Sequence, residues 1–139
     1  MADENYKYHE LTSRIIGAAF EVHNTLKSGF QEVIYQRSLE VELNIKGVVT
    51  EREISLPIYY KGVDVGARRV DFLVENKICV ELKAVSQLED VHLAQALNYL
   101  EAFNMEIGLL INFGSKSLEV KRLLNKKYDP LILNSGKHN

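Results

Sequence analysis

The sequence has one cysteine, two prolines and no tryptophan, and its formal charge is nearly balanced at −2. Each scarcity excludes something. The lone Cys79, set inside an apolar run, rules out an intramolecular disulfide and a cysteine-built zinc site, and it suits a reducing cytoplasm. No apolar stretch approaches the roughly 20 residues that span a bilayer. The opening Met1-Ala2-Asp3-Glu4-Asn5 is acidic and polar, unlike a secretory signal. The expectation is a cytoplasmic protein with no membrane segment. His9, His23, His92 and His138 form no cluster at ligand spacing, so zinc is not expected. Neither G-x-x-x-x-G-K-[ST] nor G-x-G-x-x-G occurs, which removes the usual nucleotide-cradling loops, and G-x-S-x-G is absent as well. The small acidic charge argues against a protein that coats nucleic acid by bulk electrostatics.

What is present suits one globular domain. With 46% hydrophobic residues in 139, the chain can bury about two-thirds of its unfolded surface and needs no staple to fold. A single domain over 1–139 is expected, with its core at about 9–127. The charge is unevenly spread: Lys116, Lys121, Arg122, Lys126 and Lys127 are opposed only by Glu119 in that segment. A solvated C-terminal face and a local phosphate-contacting surface both fit.

The apolar period changes along the chain. Leu11, Ile15, Ala18, Ala19, Val22 and Leu26 recur at three and four, which predicts a helix over His9 to Leu26 ended by Ser28-Gly29. A second helix is expected from Gln31 to Lys46, with Val33, Ile34, Leu39 and Leu43 apolar and Gly47 as its breaker. From Val49 to Tyr60 the period becomes two, and Pro57 marks that strand as an edge or irregular one. Lys61 to Gly66 reads as a turn. Arg68 to Val74 and Ile78 to Val85 read as strands joined through Glu75-Asn76-Lys77. Leu88 to Phe103 returns to helical spacing, with Leu93, Ala96, Leu97, Leu100 and Phe103 on one face. Ile107 to Phe113 fits a strand buried on both faces. Leu118 to Leu124 is open between strand and helix, and the tail after Pro130 is expected to be poorly ordered towards its end. The order α-α-β-β-β-α-β-(β) implies an α/β (α+β) fold, a mixed sheet covered by helices.

Glu81-Leu82-Lys83 carries the chemistry. On a strand Glu81 and Lys83 share a face, opposite Ile78, Val80 and Leu82. Two charges in an apolar strand are costly unless paired or bound to an ion. If Glu75-Asn76-Lys77 is a three-residue loop, Val74 faces Ile78 and Asp71 falls opposite Glu81. A two-residue turn would instead send Asp71 to the other face. Like carboxylates across a ladder repel, and a divalent cation such as Mg²⁺ or Mn²⁺ resolves that repulsion. An ordinary surface Glu–Lys pair is the competing account of the same residues. Glu32 and Tyr35 share a helix face, as do His92, Gln95 and Tyr99. For both tyrosines, core packing with a satisfied hydroxyl is the plainer role, and for His92 a surface one. Cys79 reads as an inert core thiol.

Asp71, nine intervening residues and then Glu81-Leu82-Lys83 resemble the PD-(D/E)XK nuclease signature, with Val70 where proline is usual. Gly29-Phe30-Gln31-Glu32-Val33-Ile34-Tyr35 is similar to the G-x-x-E-x-x-Y motif of the GxxExxY protein family. Val70 to Val74, Val80 to Ala84, Gln95 to Leu100 and Gly108 to Gly114 extend that resemblance, which covers roughly Ile15 to Leu124. It implies a restriction-endonuclease-like fold with a metal-dependent layout. Asp71, Glu81 and the backbone carbonyl of Leu82 would then bind Mg²⁺ or Mn²⁺, joined by Glu32 from the helix. Lys83 would stabilise the attacking water or the developing charge, and Gln95 would support the site.

Two functions follow as expectations. One is a metal-dependent nuclease hydrolysing phosphodiester bonds in nucleic acid, for which the resemblance also makes a homodimer an expectation. The other is a catalytically silent nuclease-fold module that binds nucleic acid or a protein partner, favoured by the acidic charge, since fold does not dictate function.

Overall fold

A computed structural model of the chain describes residues 8–132. The expectations for Met1 to Asn5, for the end of the C-terminal tail and for His138 lie outside that range. Three helices and five strands follow one another as α1 (His9–Leu26), α2 (Glu32–Ile45), β1 (Thr50–Tyr60), β2 (Val63–Val74), β3 (Ile78–Lys83), α3 (Asp90–Ala102), β4 (Ile107–Asn112) and β5 (Glu119–Leu124). The architecture is α+β, in the order that the change of apolar period predicts. No helix among the described residues is long and apolar enough to cross a membrane.

The strands lie in space in their sequence order, β1-β2-β3-β4-β5. Neighbours joined by short links run antiparallel, and β3 and β4, linked through α3, run parallel. A parallel pair needs a crossover of this kind, and a helix supplies it. Helices α1 and α2 cover one face of the sheet. Ile15, Ala18, Ala19 and Val22 pack there with Tyr35, Leu39 and Leu43 against Phe72, Val80, Leu82, Leu109 and Ile111. Helix α3 covers the other face, where Leu100 and Phe103 meet Ile54, Leu56, Val70, Leu73 and Cys79. Cys79 is thus a core thiol, and burial pushes its pKa well up, away from reactivity.

The structure departs from the expected pattern at two places and decides a third that the sequence leaves open. The turn between β1 and β2 is only Lys61-Gly62, both at positive φ, and β2 resumes at Val63 rather than Arg68. A two-residue turn of this hand matches strand twist, so the ladder extends through a segment whose glycines suggest a longer loop. The extra residue near Gly66 is absorbed by a bulge opposite Ile58 and Tyr59. On α2 the buried stripe is Tyr35, Gln36, Leu39 and Leu43, while Ile34 faces solvent. Finally, the open Leu118 to Leu124 segment is an edge strand paired with β4, and its lysine discourages further pairing. Pro57 lies on β1, the opposite edge, where a missing N–H costs least.

Candidate active site

The link Glu75-Asn76-Lys77 sets the register of the central hairpin. Glu75 and Asn76 take left-handed conformations, and Val74 then pairs with Ile78, Leu73 with Cys79 and Phe72 with Val80. The next position along each strand is Asp71 on β2 and Glu81 on β3. There the regular ladder ends. The Leu82 N–H donates to Asp71 Oδ2 at 2.7 Å in place of a backbone acceptor.

Two irregularities bring Asp71 into that gap. Glu53, a non-glycine residue at φ 55, kinks β1 between the Arg52–Phe72 and Ile54–Val70 pairs. Val70 and Phe72 are two apart and would share a face in a regular strand. Instead Phe72 joins the core under α1 and α2, and Val70 the core under α3. The strand therefore rolls at Asp71, and its carboxylate is reached from α2 and from the β3 backbone. Gln36 of α2 donates to Asp71 Oδ1 at 3.0 Å and accepts from Arg52 Nη1 at 3.0 Å. Arg52 in turn lies 3.3 Å from Glu40. A polar chain thus runs from α2 and β1 to the end of the hairpin ladder.

Glu81 points towards α3. It is 5% exposed, and its Oε1 is buried with no hydrogen-bond partner. Its Oε2 is 3.6 Å from Arg68 Nη2, and Arg68 lies over the Tyr99 ring at 4.5 Å. Burial above all, then the nearby Asp71 charge, push the Glu81 carboxyl up to about 8 against the opposing pull of Arg68, Lys83 and the Asp71 backbone N–H. The Asp71 carboxyl is raised too, by burial, against the Leu82 and Gln36 hydrogen bonds. Lys83 shares a narrow recess with Glu81, His92, Gln95, Ala96 and Tyr99.

Glu32 opens α2 and stands four residues before Gln36 on the same helix side. Partial burial and the Asp71 charge raise its carboxyl, while Lys83 and Arg68 oppose the rise. It retains solvent exposure, so this effect is weaker than at Glu81. The fold therefore gathers Asp71, Glu81 and Lys83 at one ladder end, with Glu32 within electrostatic range and Gln95 on the recess wall. It does not gather three acids tightly: among the described residues, no three of His, Cys, Asp and Glu form a cluster able to hold a metal ion.

The remaining motif residues serve the scaffold. Tyr35 is fully buried, stacks on Phe113 at 4.9 Å, donates its hydroxyl to the Lys27 carbonyl and accepts from the Phe30 N–H at 3.2 Å. It pins the α1–α2 turn, where Gly29 takes φ 120, and so fixes where α2 and Glu32 begin. His92 Nδ1 accepts the Glu89 N–H at 2.9 Å and closes the first turn of α3. Asn112, wholly buried, accepts from the Val85 and Gly114 N–H groups and donates to the Val85 carbonyl and to Glu119. That clamp fixes the chain just beyond Lys83. Glu119 is held below its usual carboxylate range by the Asn112 and Leu88 donors.

Sequence reasoning passes over Arg68, Gln36 and Arg52. For Gln36 a signal exists, since a polar residue four after Glu32 lies on the same helix side. For Arg68 none does, because its reach to Glu81 depends on the roll of β2.

A family model of the PD-(D/E)XK nuclease superfamily matches residues 9–123. The crystal structure of SSO0001 resembles the chain with a TM-score of 0.52 at 23% identity, over 67% of this chain and 50% of that one. That likeness spans half of the SSO0001 chain and concerns the fold alone. No curated protein matches the sequence. With the family match extending from α1 into β5, the chain belongs to the PD-(D/E)XK nuclease superfamily and carries its restriction-endonuclease-like mixed sheet.

Proposed function

We propose that the protein is a metal-dependent nuclease that hydrolyses phosphodiester bonds in nucleic acid at Asp71, Glu81 and Lys83. The observation that carries this reading is the Glu81 Oε1, a buried carboxylate oxygen with no partner, one ladder step from Asp71. A buried polar atom left unpaired is costly, and natural folds retain such atoms where a ligand satisfies them. The donors fit a hard divalent cation, Mg²⁺ or Mn²⁺: two carboxylates, with the Leu82 carbonyl on the strand edge that faces Asp71. A cation held there would polarise a phosphoryl oxygen and lower the pKa of water.

This chain's own groups have separable parts. Lys83 offsets negative charge that develops at the phosphoryl group. Gln95, on the recess wall, orients substrate or solvent. Glu32 contributes negative charge from outside the carboxylate pair. Gln36 and the Leu82 N–H hold Asp71 in place. The finer resemblance to the GxxExxY family supports the same roles, and we extend it to a cytoplasmic setting and to a homodimer able to cut both strands.

A silent binding module is the second reading. It is favoured by the absence of a three-acid cluster among the described residues and by Arg68 standing against Glu81. The deciding experiment is a cleavage screen on single- and double-stranded DNA and RNA with Mg²⁺ or Mn²⁺, run beside Glu81→Ala. Cleavage lost in the variant supports the nuclease. Cleavage equal in both marks a contaminant, and none in either favours the binding module.

A further inference from the structure

Arg68 meets Glu81 in an unfinished way. Their contact of 3.6 Å is longer than the roughly 2.7–2.9 Å of a charge-assisted hydrogen bond. Arg68 Nε and Glu81 Oε1 are both buried and both lack a hydrogen-bond partner. A pair selected to tie two strands together would close those valences, because a fork-shaped guanidinium satisfies a carboxylate through two parallel bonds. What holds Arg68 instead is the Tyr99 face, at 4.5 Å. Its charge also bears on Asp71 and on Glu32.

We propose that Arg68 and a divalent cation are alternative partners of Glu81, an inference that rests on the cation site described above. Without the cation, Arg68 is the counter-ion that makes a buried carboxylate tolerable. With the cation on Glu81, Arg68 is released from the carboxylate while its stack on Tyr99 keeps it at the rim of the recess. Its N–H donors then face outwards, in the geometry that suits a phosphate flanking the one attacked. The arrangement makes phosphate binding depend on prior cation binding through one side chain.

The test is Mn²⁺ titration of the full chain, read by electron paramagnetic resonance at a pH above the Glu81 value, with melting curves in chelator. Arg68→Ala is expected to bind Mn²⁺ about tenfold more tightly than wild type, because a competing positive charge is gone from the site. In chelator it melts lower, since Glu81 has lost its ion-pair partner. Arg68→Lys stays near wild type in both. Arg69→Ala changes neither, because Arg69 is exposed and pairs with Glu53 on the far side of the strand. If Arg68→Ala does not fold, Arg68→Gln carries the same expectation for Mn²⁺. Affinity unchanged or weakened in the uncharged Arg68 variants, while Glu81→Gln abolishes binding, overturns this inference and leaves the cation site standing. An equal gain from Arg69→Ala overturns it as a general charge effect. No Mn²⁺ binding by wild type or by any variant overturns the cation site and this inference together.

Discussion

The Asp71 carboxylate accepts the Leu82 N–H at 2.7 Å, one residue along β3 from Glu81. A side chain has replaced a main-chain rung at the point where β2 leaves β3. That single bond satisfies a backbone donor that would otherwise be left unpaired, and it brings a second carboxylate beside Glu81. Scaffold and candidate chemistry therefore depend on the same oxygen atoms, and the two can be separated by substitution.

Glu81→Gln should stabilise the cation-free protein at alkaline pH. The folded-state carboxyl is pushed up to about 8 from an ordinary value of 4.5. Between those values the native state binds more protons than the unfolded chain, so stability falls as pH rises through the window. Glu32 and Asp71 are raised as well and act in the same direction. Wild type in chelator should thus melt lower at about pH 8.5 than at about pH 6, having lost stability on the order of a few kcal/mol. Glu81→Gln, which keeps shape without charge, should lose most of that slope. A wild-type melting temperature that climbs across this window would falsify the assignment.

Asp71→Asn should behave differently, although it too removes a carboxylate. Asp71 accepts on both oxygens, from Leu82 and from Gln36. Asparagine has one acceptor, so its amide would confront the Gln36 amide unless Gln36 turns over and abandons Arg52. Relief of repulsion is then offset by a lost hydrogen bond of about 1–2 kcal/mol. In chelator, Asp71→Asn should melt at or below wild type while Glu81→Gln melts above it. The double variant Asp71→Asn with Gln36→Glu, which restores an acceptor opposite the new amide, should recover the difference. Recovery failing while Asp71→Asn alone melts above wild type would show that repulsion dominates at Asp71.

The two strands of the central hairpin are legible in the sequence, but their register is open there between a two-residue and a three-residue link, and it is the structure that pairs Val74 with Ile78 across Glu75-Asn76-Lys77. Glu81 and Lys83 on one strand face follow from alternation alone. Three things do not follow. The roll of β2 at Asp71 depends on the Glu53 kink in the neighbouring strand, which no local pattern encodes. Arg68 reaches Glu81 only because of that roll. Tyr35 and Glu32 sit three apart on α2 and look alike on a wheel, yet one is fully buried and the other exposed, because α2 is turned by the Tyr35 bond to Lys27.

Asn112→Leu should be among the most destabilising single changes. The side chain is wholly buried and bonded to both polar backbone groups of Val85. A leucine of similar size leaves these groups unpaired, at about 1–3 kcal/mol each. Gly114→Ala should act on the same contact, since a Cβ there would lie 2.4 Å from the Val85 backbone. Chemical denaturation should show a lower midpoint for each. A midpoint within error of wild type for both would remove the clamp from the account of how Lys83 is positioned.

Lys83→Met separates charge stabilisation from cation binding. Lys83 shares the recess with Glu81 and opposes the raised carboxyls of Asp71, Glu81 and Glu32. Its removal leaves every oxygen donor in place and takes one positive charge away from them. Cation affinity should therefore hold or rise, on the same Coulomb reasoning that applies to Arg68. Catalysis should fall, because a positive group aimed at charge developing in the transition state is worth roughly 10²–10³ in rate. Methionine keeps the length and apolar stem of lysine, so the recess stays filled. The measurement pairs Mn²⁺ titration with single-turnover cleavage of a short oligonucleotide under saturating metal. Cleavage reduced at least a hundredfold with Mn²⁺ binding intact assigns Lys83 to the reaction. Cleavage and binding lost together would make Lys83 a structural partner of the carboxylates, and unchanged cleavage would place the chemistry elsewhere on the chain.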